Sequence, residues 1–167
     1  MYWTLGLIGI LSMMGCEIPM VPQENSVGES LGQEKKLEPE NALKFINAYV
    51  EKCNNHEDAT STTVWVNSTV WVTQEFKASL SEMMQKADPE LGLGFDPIFN
   101  AQDYPSEGFE VDSIKPPHVS TSEGFLVLKG KNWPDFKLTI HMRYFNSQWL
   151  VDGCGVVNMP TDKQDKR

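Results

Sequence analysis

Phe95-Asp96-Pro97-Ile98-Phe99-Asn100-Ala101-Gln102-Asp103-Tyr104-Pro105 divides the chain into two regimes. Upstream of it, apolar residues recur at helical spacing; downstream, they alternate. The stretch itself follows neither period. It is bounded by prolines and carries two acids, Asp96 and Asp103, a carboxamide pair, Asn100 and Gln102, and the phenol Tyr104. Side chains of this kind cap helix ends and bond backbone amides that no ladder satisfies, so structural work is the first reading of these five residues. Their second reading is a lining for a pocket.

Immediately upstream, Thr73 is placed to cap a helix whose apolar side is Phe76, Leu80, Met83, Met84 and Ala87, stopped by Asp88-Pro89. Further back, Leu43, Ile46, Val50 and Cys53, flanked by Ala42, Phe45 and Tyr49, predict a helix starting at Pro39 and ending at Asn54-Asn55-His56. Between the two, Thr62–Thr73 is rich in β-branched residues but interrupted at Asn67-Ser68. Read as extended chain, it puts Trp65 and Trp71 on one side, as core residues or as the lip of a cavity.

Downstream, 109–114, 124–129, 136–145 and 148–157 are strand candidates, with a further short one at 118–121. A two-residue turn at Asn146-Ser147 places Tyr144 opposite Trp149 and Met142 opposite Val151, and the same register sets His141 opposite Asp152. That pair falls on the face away from the apolar stripe, where an exposed ion pair is the ordinary outcome. The expected class is therefore α+β, with N-terminal helices packed on a curved antiparallel sheet. The domain is expected over 39–160, followed by a polar tail at 161–167.

Composition narrows the function classes. A formal charge of −9 argues against binding a phosphate backbone or an anionic lipid surface. Residues 81–112 hold eight Asp or Glu and one Lys, read as a solvated acidic face. There is no calcium-loop pattern, no Gly-rich phosphate loop, no serine nucleophile elbow, and neither Cys-x-x-Cys nor clustered His, so neither a metal nor a cofactor is expected.

Residues 2–15 form an uncharged apolar run of 14 residues, short for a bilayer span but suited to the core of a signal peptide. Ser12-Met13-Met14-Gly15-Cys16 resembles a bacterial lipobox, with Met13 where Leu is usual. The resemblance implies cleavage after residue 15, lipidation of Cys16, and a protein of the cell envelope, in the periplasm or at the surface, anchored in the outer membrane. Residues 16–38 carry Pro19, Pro22, Gly28 and Gly32 among polar residues and are expected to act as a flexible tether. With Cys16 lipidated, Cys53 and Cys154 remain. Two separate small hydrophobes is the first reading of them, and a disulfide is the second.

Four blocks together carry a family resemblance. They are Thr73-Gln74-Glu75-Phe76-Lys77, Leu91-Gly92-Leu93-Gly94-Phe95-Asp96-Pro97-Ile98 running into Asn100-Ala101-Gln102-Asp103-Tyr104-Pro105, Trp133-Pro134-Asp135-Phe136, and Gln148-Trp149-Leu150-Val151-Asp152-Gly153. Over 39–160 the chain resembles a family of small exported bacterial proteins, many of them lipoproteins, described as a domain of unknown function. That family is grouped with the cone-shaped folds related to nuclear transport factor 2 and the SnoaL-like proteins. The resemblance implies a pocket between the long helix and the sheet and assigns no catalytic residue; Cys154 stands where the family usually has an apolar residue.

The function expected on these grounds is non-catalytic binding at the envelope, of a small apolar ligand or an envelope protein and not of nucleic acid. One alternative is an isomerase- or dehydratase-type enzyme using Asp103 with Tyr104, or Asp152 with His141. Another is an inhibitor or immunity protein that meets a basic partner.

Overall fold

Lys36 and Leu37 already belong to the folded domain, which begins inside the stretch expected to be tether. Leu37 is buried, and the Lys36 carbonyl accepts a bond from Trp149 Nε1 at 2.9 Å. The computed structural model describes residues 36–115 and 122–166, with the backbone alone at Lys115. The apolar run at 2–15, Cys16, most of the expected tether, Pro116-Pro117, the candidate strand at 118–121 and Arg167 lie outside the described residues.

Helix α1 (Glu40–Asn54) has Pro39 at its N-cap, one residue before the helix proper, and Glu40 in its first turn at the positive end of the dipole. Its buried stripe is Ala42, Phe45, Ile46, Tyr49 and Val50. Helix α2 (Thr62–Ser68) corrects the extended reading of that segment. Ser61 takes the N-cap, its hydroxyl accepting from Val64 N, and this local bond outweighs β-branched propensity over a short stretch. Past the helix the chain leaves helical geometry at Thr69 and runs along the sheet only at Trp71–Thr73. It adds a parallel bridge to the sheet edge, with Val151 N donating to the Trp71 carbonyl and Thr73 N to the Val151 carbonyl, both at 2.9 Å. Helix α3 (Gln74–Lys86) starts at the predicted cap, Thr73, whose hydroxyl accepts from Phe76 N at 3.1 Å. Phe76 and Leu80 are buried, whereas Met84 faces solvent.

Strands β1 (Phe109–Lys115), β2 (Glu123–Gly130), β3 (Lys137–Phe145) and β4 (Gln148–Cys154) form an antiparallel meander in that order. The turn at Asn146-Ser147 has both residues at positive φ, as a two-residue hairpin requires, and Tyr144 pairs with Trp149 and Met142 with Val151 as expected. The register then slips. His141 pairs with Gly153, leaving Asp152 as the extra residue of a bulge.

Helices and sheet close on a shared core of Phe45, Ile46, Tyr49, Phe76 and Leu80 against Leu126, Leu128, Leu138, Ile140, Met142 and Val151. Rings fill the space between the layers. Phe45 meets Phe76 edge-on at 5.5 Å, Tyr49 meets Phe99 at 5.2 Å, and Phe99 stacks on Tyr104 at 4.8 Å and on Phe109 at 6.0 Å. Each fully buried ring contributes about 1.5–3 kcal/mol from surface removed from water.

Among the described residues, two side chains bond strand backbone where no neighbouring strand is paired. At the β1 edge, Asn47 accepts from Phe109 N at 2.7 Å and donates to the Phe109 carbonyl at 3.2 Å; beyond it the β1 register shifts at Asp112. Past the end of β4, Asp165 accepts from Thr139 N at 2.6 Å and from its hydroxyl at 2.9 Å. The segment expected to be a polar tail is thus docked on β3 through residue 165.

The 95–105 loop is seated on the end of β4. Val156 N donates to the Pro97 carbonyl at 3.0 Å, and the Cys154 thiol to the Ile98 carbonyl at 3.3 Å. Gly155, at φ +61°, lies so close that a Cβ would come within 2.3 Å of the Pro97 oxygen and 2.4 Å of the Ile98 oxygen. Gly92 has nearly the same φ, +63°, with open space around it. Gly92→Ala therefore carries backbone strain alone, expected at about 1 kcal/mol, whereas Gly155→Ala adds a clash with fixed backbone, for a total of about 3 kcal/mol or more. Thermal melts of the two variants check this; equal losses would show that the loop is not held by that close approach.

Candidate functional site

Asp96 holds the 95–105 loop from within. Its Oδ1 accepts from the Ile98 and Phe99 amides at 2.8 and 2.9 Å, and its Oδ2 accepts from the Tyr49 hydroxyl at 2.5 Å. Burial pushes the Asp96 carboxyl up, against the opposing pull of Tyr49 and the two amides. Burial, with Asp96 beside it, drives the Tyr49 phenol far above its ordinary range, so Tyr49 serves as a donor. This is a half-buried carboxylate that closes the loop.

The other loop candidates point elsewhere. Tyr104 stacks on Phe99 and donates to Asn54 Oδ1 at 3.1 Å. Asn100, at φ +53°, donates its amide to the Asp165 carbonyl at 3.0 Å, and Gln102 donates to the Gly94 carbonyl at 3.0 Å. Asp103 is exposed. Asp103 and Tyr104 therefore do not converge as base and oxyanion donor.

Three of these residues instead line an open surface groove of about 610 Å³. Asn100, Gln102 and Asp103 form one side with Phe95 and Ala101, and Trp133 and Asp135 form the other, with Phe136 and Lys166 completing it. Two Pro-punctuated loops make this groove. One is anchored by Asp96; the other is the connection between β2 and β3, closed by Phe136 N donating to the Trp133 carbonyl at 3.0 Å. Trp133 is 45% and Phe95 39% exposed, high values for large apolar side chains. Trp133 rests edge-on against Phe136 at 5.2 Å. Sequence reading singled out both loops but did not join them. Trp133 and Asp135 shared one signal, the proline between them, whereas Phe95 and Lys166 carried none, and no periodicity could place the four together.

The His141–Asp152 pair forms, though in another setting than expected. Asp152 is 1% exposed, and its bulge turns it toward His141, Arg143 and Thr73. Oδ1 accepts from the Thr73 hydroxyl at 2.6 Å; Oδ2 meets Arg143 Nη2 at 3.0 Å, Asn158 Nδ2 at 3.3 Å and His141 Nδ1 at 3.4 Å. The expected surface ion pair is thus a buried hub joining the α3 N-terminus, β3, β4 and the turn after β4. His141 stacks on Phe125 at 4.7 Å, with a Glu123 oxygen 3.4 Å from Nε2, contacts too long to be well-formed hydrogen bonds. Burial works to raise the Asp152 carboxyl, but His141, Thr73 and Arg143 together outweigh it and hold it below the ordinary carboxylate value. With both oxygens committed, Asp152 orients its neighbours rather than a reactant.

The candidate disulfide does not form: Cys53 and Cys154 are not joined to each other. Cys154 is spent on the Ile98 carbonyl, and burial, with Asp96 nearby, pushes the Cys53 thiol up. Among the described residues, no three His, Cys, Asp or Glu side chains gather as metal ligands. No helix among them is long and apolar enough to cross a membrane. Comparison of the chain with protein-family models, with curated proteins and with solved structures finds no match.

Asp152→Asn keeps an acceptor for Thr73 but removes the charge facing Arg143 and His141. Its expected cost near neutral pH is about 2–3 kcal/mol, discounted from a fully buried pair because Arg143 is partly exposed. Since the Asp152 carboxyl is held low, this contribution is complete above the ordinary carboxylate value and lost as pH falls through the folded value. Chemical denaturation of both proteins should show a gap that narrows in acid; a gap constant with pH would exclude the ionised carboxylate as its source.

Proposed function

We propose that the chain is an exported lipoprotein, tethered through Cys16, whose domain is a non-catalytic binding module of the cell envelope that uses its outer surface. The observation that carries this reading is where space is found. Rings of Phe45, Tyr49, Phe76, Phe99 and Phe109 occupy the interval between helices and sheet, while the 95–105 loop lines an open groove. A buried small-molecule pocket needs concave apolar volume inside, and here that volume is taken. This favours an envelope protein as the partner over a small apolar ligand. It also disfavours the enzyme alternative, because Asp96 and Asp152 both spend their oxygens on the fold. Helices preceding a meander and packed on one of its faces are in keeping with a cone-like fold of the nuclear-transport-factor-2 kind.

Tether and site are tested separately. Fractionation of cells expressing the full chain should place it with membranes and Cys16→Ser in the soluble fraction; membrane retention of Cys16→Ser would overturn lipidation. For the site, photo-crosslinking residues at 103 and 133 should yield one shared adduct that the same probe at Glu57 does not. Adducts from position 57 alone, or equally from all three, would move binding off the groove.

A further inference from the structure

The groove between the 95–105 loop and the β2–β3 connection is unbalanced in its hydrogen-bonding groups. Asn100 and Gln102 each spend one of two amide N–H donors on a backbone carbonyl, leaving a single N–H beside Oδ1 and Oε1. The carboxylates of Asp103 and Asp135 make no hydrogen bond or ion pair among the described residues, and both residues are exposed. The lining therefore offers six acceptor oxygens beside two exposed rings, Phe95 and Trp133, with Lys166 the one cation to set against two acids. Oxygen-rich walls and aromatic surface together suit a ligand that is flat, positively charged and rich in N–H donors.

We propose that the groove receives an arginine side chain from a basic polypeptide partner. A guanidinium carries five N–H donors in a rigid fork that fits a carboxylate two bonds at a time, and its flat face stacks on an indole or phenyl ring. Neither acid has a competing partner to give up, so binding need not break an existing ion pair. A volume of about 610 Å³ admits the side chain with its flanking backbone, and the groove's polar rim stays open to solvent. The chain's charge of −9 draws such a partner in from a distance, and the groove supplies the close-range fit. Lysine fits less well, being a strongly hydrated point charge without a face to stack.

The inference rests on the binding reading above but is tested apart from it. Full chain purified from membranes in neutral detergent is titrated with a capped six-residue arginine peptide and with its citrulline counterpart, the same shape without the charge. At low salt the arginine peptide should bind at least about tenfold more tightly than the citrulline one, and raising the salt should weaken it. Asp103→Asn with Asp135→Asn should cost about tenfold, and Trp133→Ala a comparable loss. Glu38→Gln with Glu57→Gln, the same change in net charge at exposed positions outside the groove, should cost less than about twofold. Because Trp133 also supports Phe136, its melt is recorded, and Phe95→Ala gives the same reading should Trp133→Ala unfold early. The proposal is overturned by equal binding of the citrulline peptide, by no binding of the arginine peptide at low salt, or by equal losses from the two double variants. If peptide binding fails while crosslinks from 103 and 133 persist, the cation is wrong and the groove stands; if those crosslinks fail too, the binding reading falls with it.

Discussion

The fold turns on a near-collision. The carbonyls of Pro97 and Ile98 press against the backbone at Gly155, and only a residue without Cβ leaves room for them. That approach puts the Val156 amide and the Cys154 thiol within reach of the two oxygens, and it sets the loop's height above the end of β4. From there Asp96 dictates the loop's shape by gathering the Ile98 and Phe99 amides, while Tyr49 locks the carboxylate to α1. Phe99 is thereby driven into the ring stack, and Asn100, Gln102 and Asp103 are left on the outside. A loop without a regular hydrogen-bond ladder is thus as determined as a strand, because the Asp96 carboxylate, the Ile98 and Phe99 amides and the Pro97 and Ile98 carbonyls each meet a fixed counterpart.

Two aspartates committed to the fold, Asp96 half-buried and Asp152 buried, divide the labour. Asp96 sits among neutral donors, so burial is the larger influence on it; Asp152 sits beside Arg143 and His141, so attraction prevails. The first shapes a loop and the second gathers element ends: the cap of α3, the bulge of β4 and the turn beyond it. Both are far from idle, and neither is available to a substrate. Acidic residues in this chain are informative only with their surroundings in view, since the carboxylates that remain uncommitted at the groove, Asp103 and Asp135, are the exposed ones.

What the sequence disclosed and what it withheld follow from the range of the forces involved. Thr73 as a cap, the stripe of α1, the Asn146-Ser147 turn and the four-strand meander are local in origin, and pattern alone locates them to within a residue or two, apart from the earlier stop of β4 at Cys154. Thr62–Ser68 misled because one serine hydroxyl, which weighs little in any propensity, decides a seven-residue helix. The register could be read as far as Met142–Val151; the bulge at Asp152 could not, because its cause is the pull of Thr73 and Arg143, the former 79 residues away in the chain. Docking of Asp165 on Thr139 and the sharing of one groove by Phe95 and Trp133 likewise join segments whose own sequences give no sign of each other. The five loop candidates were identified as a group, and only the folded chain separates the half-buried, fully bonded Asp96 from the exposed Asp103.

The carboxamide of Asn47 has a bearing on colloidal behaviour. An open sheet ends in a row of backbone donors and acceptors that another molecule's strand can zip onto, and such accretion is how β-rich proteins come to precipitate. Here the first rung of that row, at Phe109, is already filled from α1 by a side chain no longer than a single peptide unit, and the next is thrown out of line by the irregularity at Asp112. An arriving strand meets a blocked start and a broken pitch. The protein can therefore be crowded at high local density with its β1 edge shielded from sheet-to-sheet growth, a safeguard built from one asparagine and one misplaced aspartate.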